Sequence, residues 1–233
     1  MCLWQNIDTE VGVDDHKIHD IGAIRQDRAS FHASNIREFA AFVEGTEYIC
    51  GHNILHHDLK YLQNALGYEL PAIKIDTLYL SPLLFPKRPY HALLKDDKLQ
   101  SDQLNDPVND CKKTATLFYD EVNAFFELPS KVKQIFCCLL YDHPEFHGFF
   151  RYVNFQPYHV NVPERIRVEY EGQICSNAEL LPLIRHYPVE LAYALALVGA
   201  KDEHSITPPW LMRNYPKIEN VIKYLRGTPC ADI

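Results

Sequence analysis

Two acidic side chains near the start of the chain are the first residues whose types and spacing could support chemistry. Asp8 and Glu10 stand one residue apart in QNIDTEVGV, and in a β-strand such residues project from the same face. Leu3, Trp4 and Ile7 before them predict a central, buried strand. Two carboxylates buried side by side are costly unless a cation lies between them. The pair therefore predicts a divalent-metal site, with an acidic surface strand as the alternative.

Two further acids follow in a regular order. Asp58 opens a helix in HHDLKYLQNALG, and Asp110 opens another in NDCKKTATLFYDEV. Taken alone, each is explained by capping of a helix N-terminus. Taken together, the pattern is D-x-E on the first strand, an Asp opening a helix roughly fifty residues later, and another roughly fifty beyond that. We therefore expect the four carboxylates to converge.

The segments that carry this pattern resemble a known family. They are IDTE, IHDIGAI, GHNILHHDLKYL, IDTLYL and NDPVNDCKKTATLF, and residues 1–127 resemble the DEDD superfamily of 3′→5′ exonucleases. The resemblance implies a ribonuclease-H-like α/β fold and two bound divalent ions, one of which would activate the attacking water while both stabilise the pentacovalent phosphate. Oxygen ligands suit Mg²⁺ or Mn²⁺ better than Zn²⁺. By the resemblance, the ligands would be Asp8, Glu10, Asp58 and Asp110.

The position of the general base departs from the family pattern. One branch has a His five residues before the last Asp, where this chain has Asn105; the other has a Tyr four residues before it, where this chain has Asp106. An Asn side chain does not accept a proton near neutral pH. Three explanations stay open: the metals alone activate the water, another residue substitutes, or the site is inactive. His91 is a possible substitute, and a surface histidine is its simpler interpretation.

Other polar residues near these segments have plainer interpretations. His52, in the Gly-His-Asn turn, is predicted to be structural, and His57 to be a neighbour of Asp58 that faces solvent or substrate. The nearest positive charges could contact backbone phosphates, although solvated side chains are the commoner explanation; they are Lys87, Arg88, Lys95 and Lys98.

Composition excludes several classes of protein. The chain has 233 residues, 47% of them hydrophobic, which is enough for a sizeable core. A net charge of −8 argues against a protein that binds long nucleic-acid duplexes through an overall positive charge. It does not argue against a metal site that binds a short strand. The seven cysteines include no CxxC pair, so neither a disulfide framework nor a zinc knuckle is expected. Without a signal peptide or a membrane span, we expect a cytoplasmic protein.

The secondary-structure pattern divides the chain in two. Over residues 1–127 strands alternate with helices, which predicts an α/β domain with a mixed sheet. One helix is expected to begin at Ser34 as its N-cap, another to end at Gly67, and the segment after IDTLYL to become irregular at Pro82 and Pro86. Residues 128–233 are predicted to be a mostly helical accessory region, with ERIRVEYEGQIC as an extended exception.

Two later stretches, YHALLKDDKLQSDQLNDPVNDCKKT and SITPPWLMRNYPKIENVIKYLRGTPC, are similar to the N-terminal part of bacterial RecQ-type helicases with an exonuclease-like domain. This resemblance, together with the uncapped end RGTPCADI, favours a fragment of a longer protein with a covalently linked helicase. The expected function is a metal-dependent exonuclease on single-stranded DNA 3′ ends in DNA repair, without a membrane partner. A catalytically weak or inactive nucleic-acid-binding module is the alternative, and the sequence does not separate DNA from RNA.

Overall fold

The computed structural model describes residues 4–12, 14–87, 106–200 and 207–227. The chain folds into two compact units. The first comprises Met1–Tyr79 and Ala92–Val122, and the second comprises Leu80–His91 and Asn123–Ile233.

A five-stranded mixed sheet forms the centre of the first unit. Its strands are β1 (Trp4–Val11), β2 (Ile18–Arg25), β3 (Ser30–Ala33), β4 (Tyr48–Gly51) and β5 (Ile73–Asp76). They lie in the order β3-β2-β1-β4-β5. β1 pairs antiparallel with β2, as β2 does with β3, whereas β1, β4 and β5 are parallel. The predicted α/β class with a mixed sheet is confirmed, and the sheet is compatible with a ribonuclease-H-like fold.

Among the described residues of the first unit, four helices begin: α1 (Ile36–Phe42), α2 (Asp58–Leu66), α3 (Thr77–Leu84) and α4 (Pro107–Glu127). Asn35 caps α1, because its Oδ1 accepts the N–H groups of Arg37 and Glu38 at 3.0 and 3.4 Å. The prediction of Ser34 as the cap was therefore wrong by one residue. Gly67 ends α2 with φ 78°, as predicted.

The segment predicted to become irregular at Pro82 is helical instead. α3 runs through Pro82 to Leu84 and is almost entirely apolar and buried. A proline in a helix forfeits one backbone hydrogen bond. Burial of the apolar side chains on every face of this short helix offsets that loss.

The face of the sheet that carries odd-numbered β1 residues packs on α1 and α2. Its core consists of buried apolar side chains contributed by the strands and both helices, including Ile7, Ile21, Phe39, Ile49 and Leu62. Burial of a large aliphatic side chain stabilises the folded state by about 1.5–3 kcal/mol. This core therefore fixes which way β1 faces, and the even-numbered residues point to the other side.

In the described part of the second unit, the regular elements beyond α4 are all helices: α5 (Ser130–Leu140), α6 (Pro144–Tyr152), α7 (Val162–Glu169), α8 (Leu180–His186), α9 (Pro188–Gly199), α10 (Pro209–Asn214) and α11 (Ile218–Leu225). The extended segment predicted for ERIRVEYEGQIC was wrong, because α7 occupies its first half. Asn161 starts that helix by accepting the Glu164 N–H at 3.2 Å. Among the helices of the described residues, none has the length and apolar character needed to cross a bilayer.

Candidate metal centre

Strand β1 places Asp8 and Glu10 on one face of the sheet. Their cross-strand partners on β2 are Gly22 and Asp20, and the register shifts between Glu10 and Val11. Such an irregularity increases the local twist and re-aims the side chains beside it. Both acids are half-buried, at the point where the regular pairing of β1 with β2 ends.

The first turn of α4 lies directly on β2 at Gly22. A Cβ atom at Gly22 would collide with Pro107 and would lie 2.6 Å from the backbone nitrogen of Val108. The Cys111 thiol donates to the Gly22 carbonyl at 3.3 Å. Only a glycine allows this approach, and the approach brings Asp110 beside Asp8, the cross-strand neighbour of Gly22.

The cap of α4 leaves Asp110 available for another role. Asp106 Oδ1 accepts the N–H groups of Val108 and Asn109 at 3.0 and 3.4 Å. The carboxylate of Asp110 lies within the first turn of the helix. The capping interpretation offered by the sequence thus applies to Asp106 and not to Asp110.

One carboxylate oxygen from each of Asp8, Glu10 and Asp110 lies within 4.8 Å of the others. Burial is the main cause that raises the pKa of Asp8 to about 8. The negative charges of Asp58, Asp110 and Glu10 add to the increase, in that order. The negative charge of Asp8 is therefore unfavourable unless a cation neutralises it. Three carboxylate oxygens are ligands that fit a hard divalent cation such as Mg²⁺ or Mn²⁺.

Asp58 contacts β1 from the face of the sheet on which α1 and α2 pack. β4 pairs with β1 only as far as Asn6, so the Thr9 N–H beyond it has no β4 carbonyl to bond. Asp58 Oδ1 accepts this N–H at 2.8 Å and the Thr9 hydroxyl at 2.7 Å. Asp58 is almost fully buried, and its charge reaches Asp8. It lies outside the group of three carboxylates, as a fourth acid next to them.

Replacing Thr9 with Val should test how strongly this contact positions Asp58. Val keeps the shape but removes the hydroxyl donor, and a buried hydrogen bond to a carboxylate contributes about 1.5–3 kcal/mol. We expect the free energy of unfolding to fall by about 2 kcal/mol in urea titrations. Thr9→Ser keeps the hydroxyl and is the matched control. Equal stability of the two variants would contradict the assigned role.

Asp76, which the sequence analysis did not single out, holds the turn before α2. This fully buried carboxylate accepts the N–H groups of Asn53, Leu55 and Leu78 at 2.8, 3.1 and 3.0 Å. Burial raises its pKa to about 7, against the effect of the three donors. His52 Nδ1 lies 2.9 Å from the Thr77 hydroxyl, which confirms its predicted structural role.

His57 Nδ1 lies 3.7 Å from Asp58 Oδ1. This contact raises the pKa of His57, against the effect of its partial burial. Of the remaining residues proposed from the sequence as a base or as phosphate contacts, Lys87 is exposed. The others lie outside the described residues: Asn105, His91, Arg88, Lys95 and Lys98.

The affinity of the site for Mn²⁺ should depend on pH through Asp8. Its raised pKa means that a proton occupies this carboxylate below about pH 8, and a metal must displace that proton. We expect the affinity to rise by about tenfold per pH unit between pH 6 and 8 and then to level off. Calorimetry at pH 7 in buffers of different ionisation enthalpy should show release of about one proton per site. Binding without proton release would contradict this assignment.

Comparisons with known proteins add little to this geometry. No family model matches the chain, and no curated protein matches it. Among solved structures, the chain is similar to the family B DNA polymerase from the hyperthermophilic archaeon Pyrobaculum calidifontis, at 16% sequence identity and a TM-score of 0.41. The match covers 66% of this chain and 29% of the polymerase chain. A likeness this distant assigns no family, and the chain spans less than a third of that structure.

Proposed function

We propose that the chain is a metal-dependent 3′→5′ exonuclease that hydrolyses phosphodiester bonds at DNA 3′ ends. The observation that supports the proposal best is the convergence of Asp8, Glu10 and Asp110 within 4.8 Å. Asp58 is next to them, and all four acids match the DEDD pattern in order. A binding module has no need to crowd these charges, because they oppose an anionic ligand.

In this proposal, two divalent cations would be held by Asp8, Glu10, Asp110 and Asp58. When bound, they would supply the activation of water and the neutralisation of charge on the phosphate. The residues of the chain set the geometry. β1 presents Asp8 and Glu10, Gly22 lets α4 bring Asp110 close, and Thr9 fixes Asp58.

The general base is not assigned. Because Asn105 cannot take up a proton near neutral pH, the proposal relies on the cations to lower the pKa of the attacking water. On this view the enzyme works more slowly than a relative with a histidine at that position. We further propose that residues 1–127 carry the exonuclease and residues 128–233 form an accessory region. Attachment to a helicase in DNA repair is part of the same proposal.

The decisive experiment follows the length of a 5′-labelled single-stranded DNA oligonucleotide with Mg²⁺, with Mn²⁺ and with EDTA. A 5′ label keeps every intermediate visible as nucleotides leave the 3′ end. We expect a ladder of products in either metal and none in EDTA. A parallel RNA oligonucleotide compares the two sugars. If both metals leave both strands intact while calorimetry detects Mn²⁺ binding, the inactive-module alternative replaces this proposal.

Restoring a base should raise the rate of hydrolysis. A general base contributes about 10²–10⁴-fold in typical enzymes, so Asn105→His should increase the rate by about tenfold or more if the missing base is limiting. Asn105→Gln keeps the amide and serves as the control. An unchanged rate in the His variant would point to a base elsewhere or to activation by the cations alone.

A further inference from the structure

A concave pocket of about 610 Å³ lies in the first unit between the start of β2, the start of α1 and one face of α2. We call it the lysine pocket. Its volume falls within the usual range of small-ligand sites, about 300–1,000 Å³. None of the described residues that line it is acidic, although the chain as a whole has a net charge of −8. Its polar lining consists of His16, Lys17, Ser34, Lys60, Tyr61 and Asn64.

The two lysines are available for a ligand. Lys60 is exposed, and its Nζ lies over the Tyr61 ring, 5.7 Å from the ring centroid. Lys17 is also exposed, and among the described residues neither ammonium group forms an ion pair with a carboxylate. The nearest acid in sequence, Asp15, accepts the Lys17 backbone N–H at 3.1 Å and contacts the His19 ring at 3.0 Å.

Helix α2, which begins at Asp58, presents Lys60 and Tyr61, and the turn after β1 presents Lys17. Lys60 and Tyr61 follow Asp58 on α2, about 3 and 4.5 Å further along the helix axis at about 1.5 Å per residue. Lys17 lies in the turn after β1, where its carbonyl accepts the Gly12 N–H at 2.9 Å. The lysine pocket and the candidate metal centre therefore belong to the same unit, and Lys60 lies two residues after Asp58, the carboxylate that is bonded to Thr9 between Asp8 and Glu10.

We propose that the lysine pocket binds a phosphate group of the nucleic-acid strand that the metal centre acts on, with a base against Tyr61. The inference rests on the proposed function for the identity of the strand. Carboxylates repel a polyanion, so a strand that approaches the metal-free site needs a separate source of attraction. Two ammonium groups beside an aromatic ring supply it, as in other single-strand sites.

The test is the salt dependence of binding, measured without catalysis. Fluorescence anisotropy follows a labelled single-stranded oligonucleotide in EDTA, so that binding is read whether or not the protein is a nuclease. The slope of log K against log salt falls by about 0.7 for each phosphate that the protein no longer neutralises. We expect a fall of about 0.7 in Lys17→Ala and in Lys60→Ala, and about 1.4 in the double variant. Lys223→Ala on α11 removes the same charge elsewhere and should leave the slope unchanged.

Three results would overturn the inference. They are a wild-type protein that does not bind the strand, slopes unchanged in the double variant, and a fall as large in Lys223→Ala. The pocket could take a phosphate of the strand or a free phosphate ion, and inorganic phosphate is the probe that separates them. If the lysine variants lose phosphate binding but keep the wild-type slope for the oligonucleotide, the pocket binds the free ion and the strand assignment is overturned. A wild-type protein that binds the strand through the two lysines but does not hydrolyse it would instead refute only the proposed function.

Discussion

Asp8→Asn should lower the rate of Mn²⁺-dependent shortening of a DNA 3′ end by about 10³-fold or more. Asn keeps the size of the side chain but removes one of the three carboxylates that converge there. The stabilisation that a bound metal supplies in such reactions is several kcal/mol, and each increment of about 1.36 kcal/mol corresponds to a factor of ten in rate. Rates from single-turnover gels on a labelled oligonucleotide measure the effect directly.

The same variant should be more stable than the wild type when no metal is present. Folding raises the pKa of Asp8 from 3.8 to about 8, so the folded state holds this proton more tightly than the unfolded state. Wild-type stability therefore falls as the pH rises from about 4 to 8, and Asn does not titrate. Thermal unfolding in EDTA should show the largest advantage of the variant at about pH 8 and none below about pH 4.

Asp27→Asn is the control for both measurements. It removes one negative charge from the exposed turn between β2 and β3, where Asp27 pairs with Arg25 at 3.1 Å. Its rate of shortening should match that of the wild type. An Asp8→Asn variant that keeps its rate, or that is less stable than the wild type at about pH 8 in EDTA, would contradict the assignment of Asp8 to a metal centre.

Gly22→Ala should damage both the fold and the metal site, although Gly22 itself binds nothing. The added methyl group would overlap Pro107 and lie 2.6 Å from the Val108 nitrogen, so the start of α4 must shift. Overpacking of this kind costs about 1–3 kcal/mol. Because Asp110 moves with α4, we also expect Mn²⁺ affinity to fall by about 10–100-fold, as when the supports of a metal ligand are lost.

Gly12→Ala provides the matched comparison. The atoms nearest to a methyl group there would be the ends of the Asp15 and His19 side chains, which are exposed and can rotate away. Urea unfolding and Mn²⁺ calorimetry on both variants should separate the two effects. If Gly22→Ala binds Mn²⁺ as tightly as Gly12→Ala does, then the packing of α4 on β2 does not position Asp110.

Much of this arrangement could be predicted from the sequence, because it depends on short-range patterns. The period-two spacing of Asp8 and Glu10 on an apolar strand predicted their common face, and alternating strands and helices predicted the α/β class. Whether the acids bind metal is still a prediction. The apolar pattern that identifies helix α2 also predicted correctly that Asp58 opens it.

The features that the sequence did not reveal depend on contacts between distant segments. Nothing local distinguishes Gly22 from another strand glycine, since the helix that requires it begins far along the chain, at Pro107. The bond from Thr9 to Asp58 depends on where β4 ends. In α7, the β-branched residues Ile166 and Val168 favoured a strand, but the Asn161 cap and packing of Ile166 in the helical unit outweighed that preference.

The Thr9 amide proton has a practical use because it donates to a carboxylate in the part of β1 that β4 does not reach. The chemical shift of an amide proton that is hydrogen-bonded to a charged acceptor differs from the usual amide range, and such a proton exchanges slowly with solvent. If a cation draws electron density from Asp58, that bond weakens and the resonance moves. One backbone signal in a ¹⁵N-labelled sample would then report occupancy of the centre, without any substrate and without altering an acidic residue.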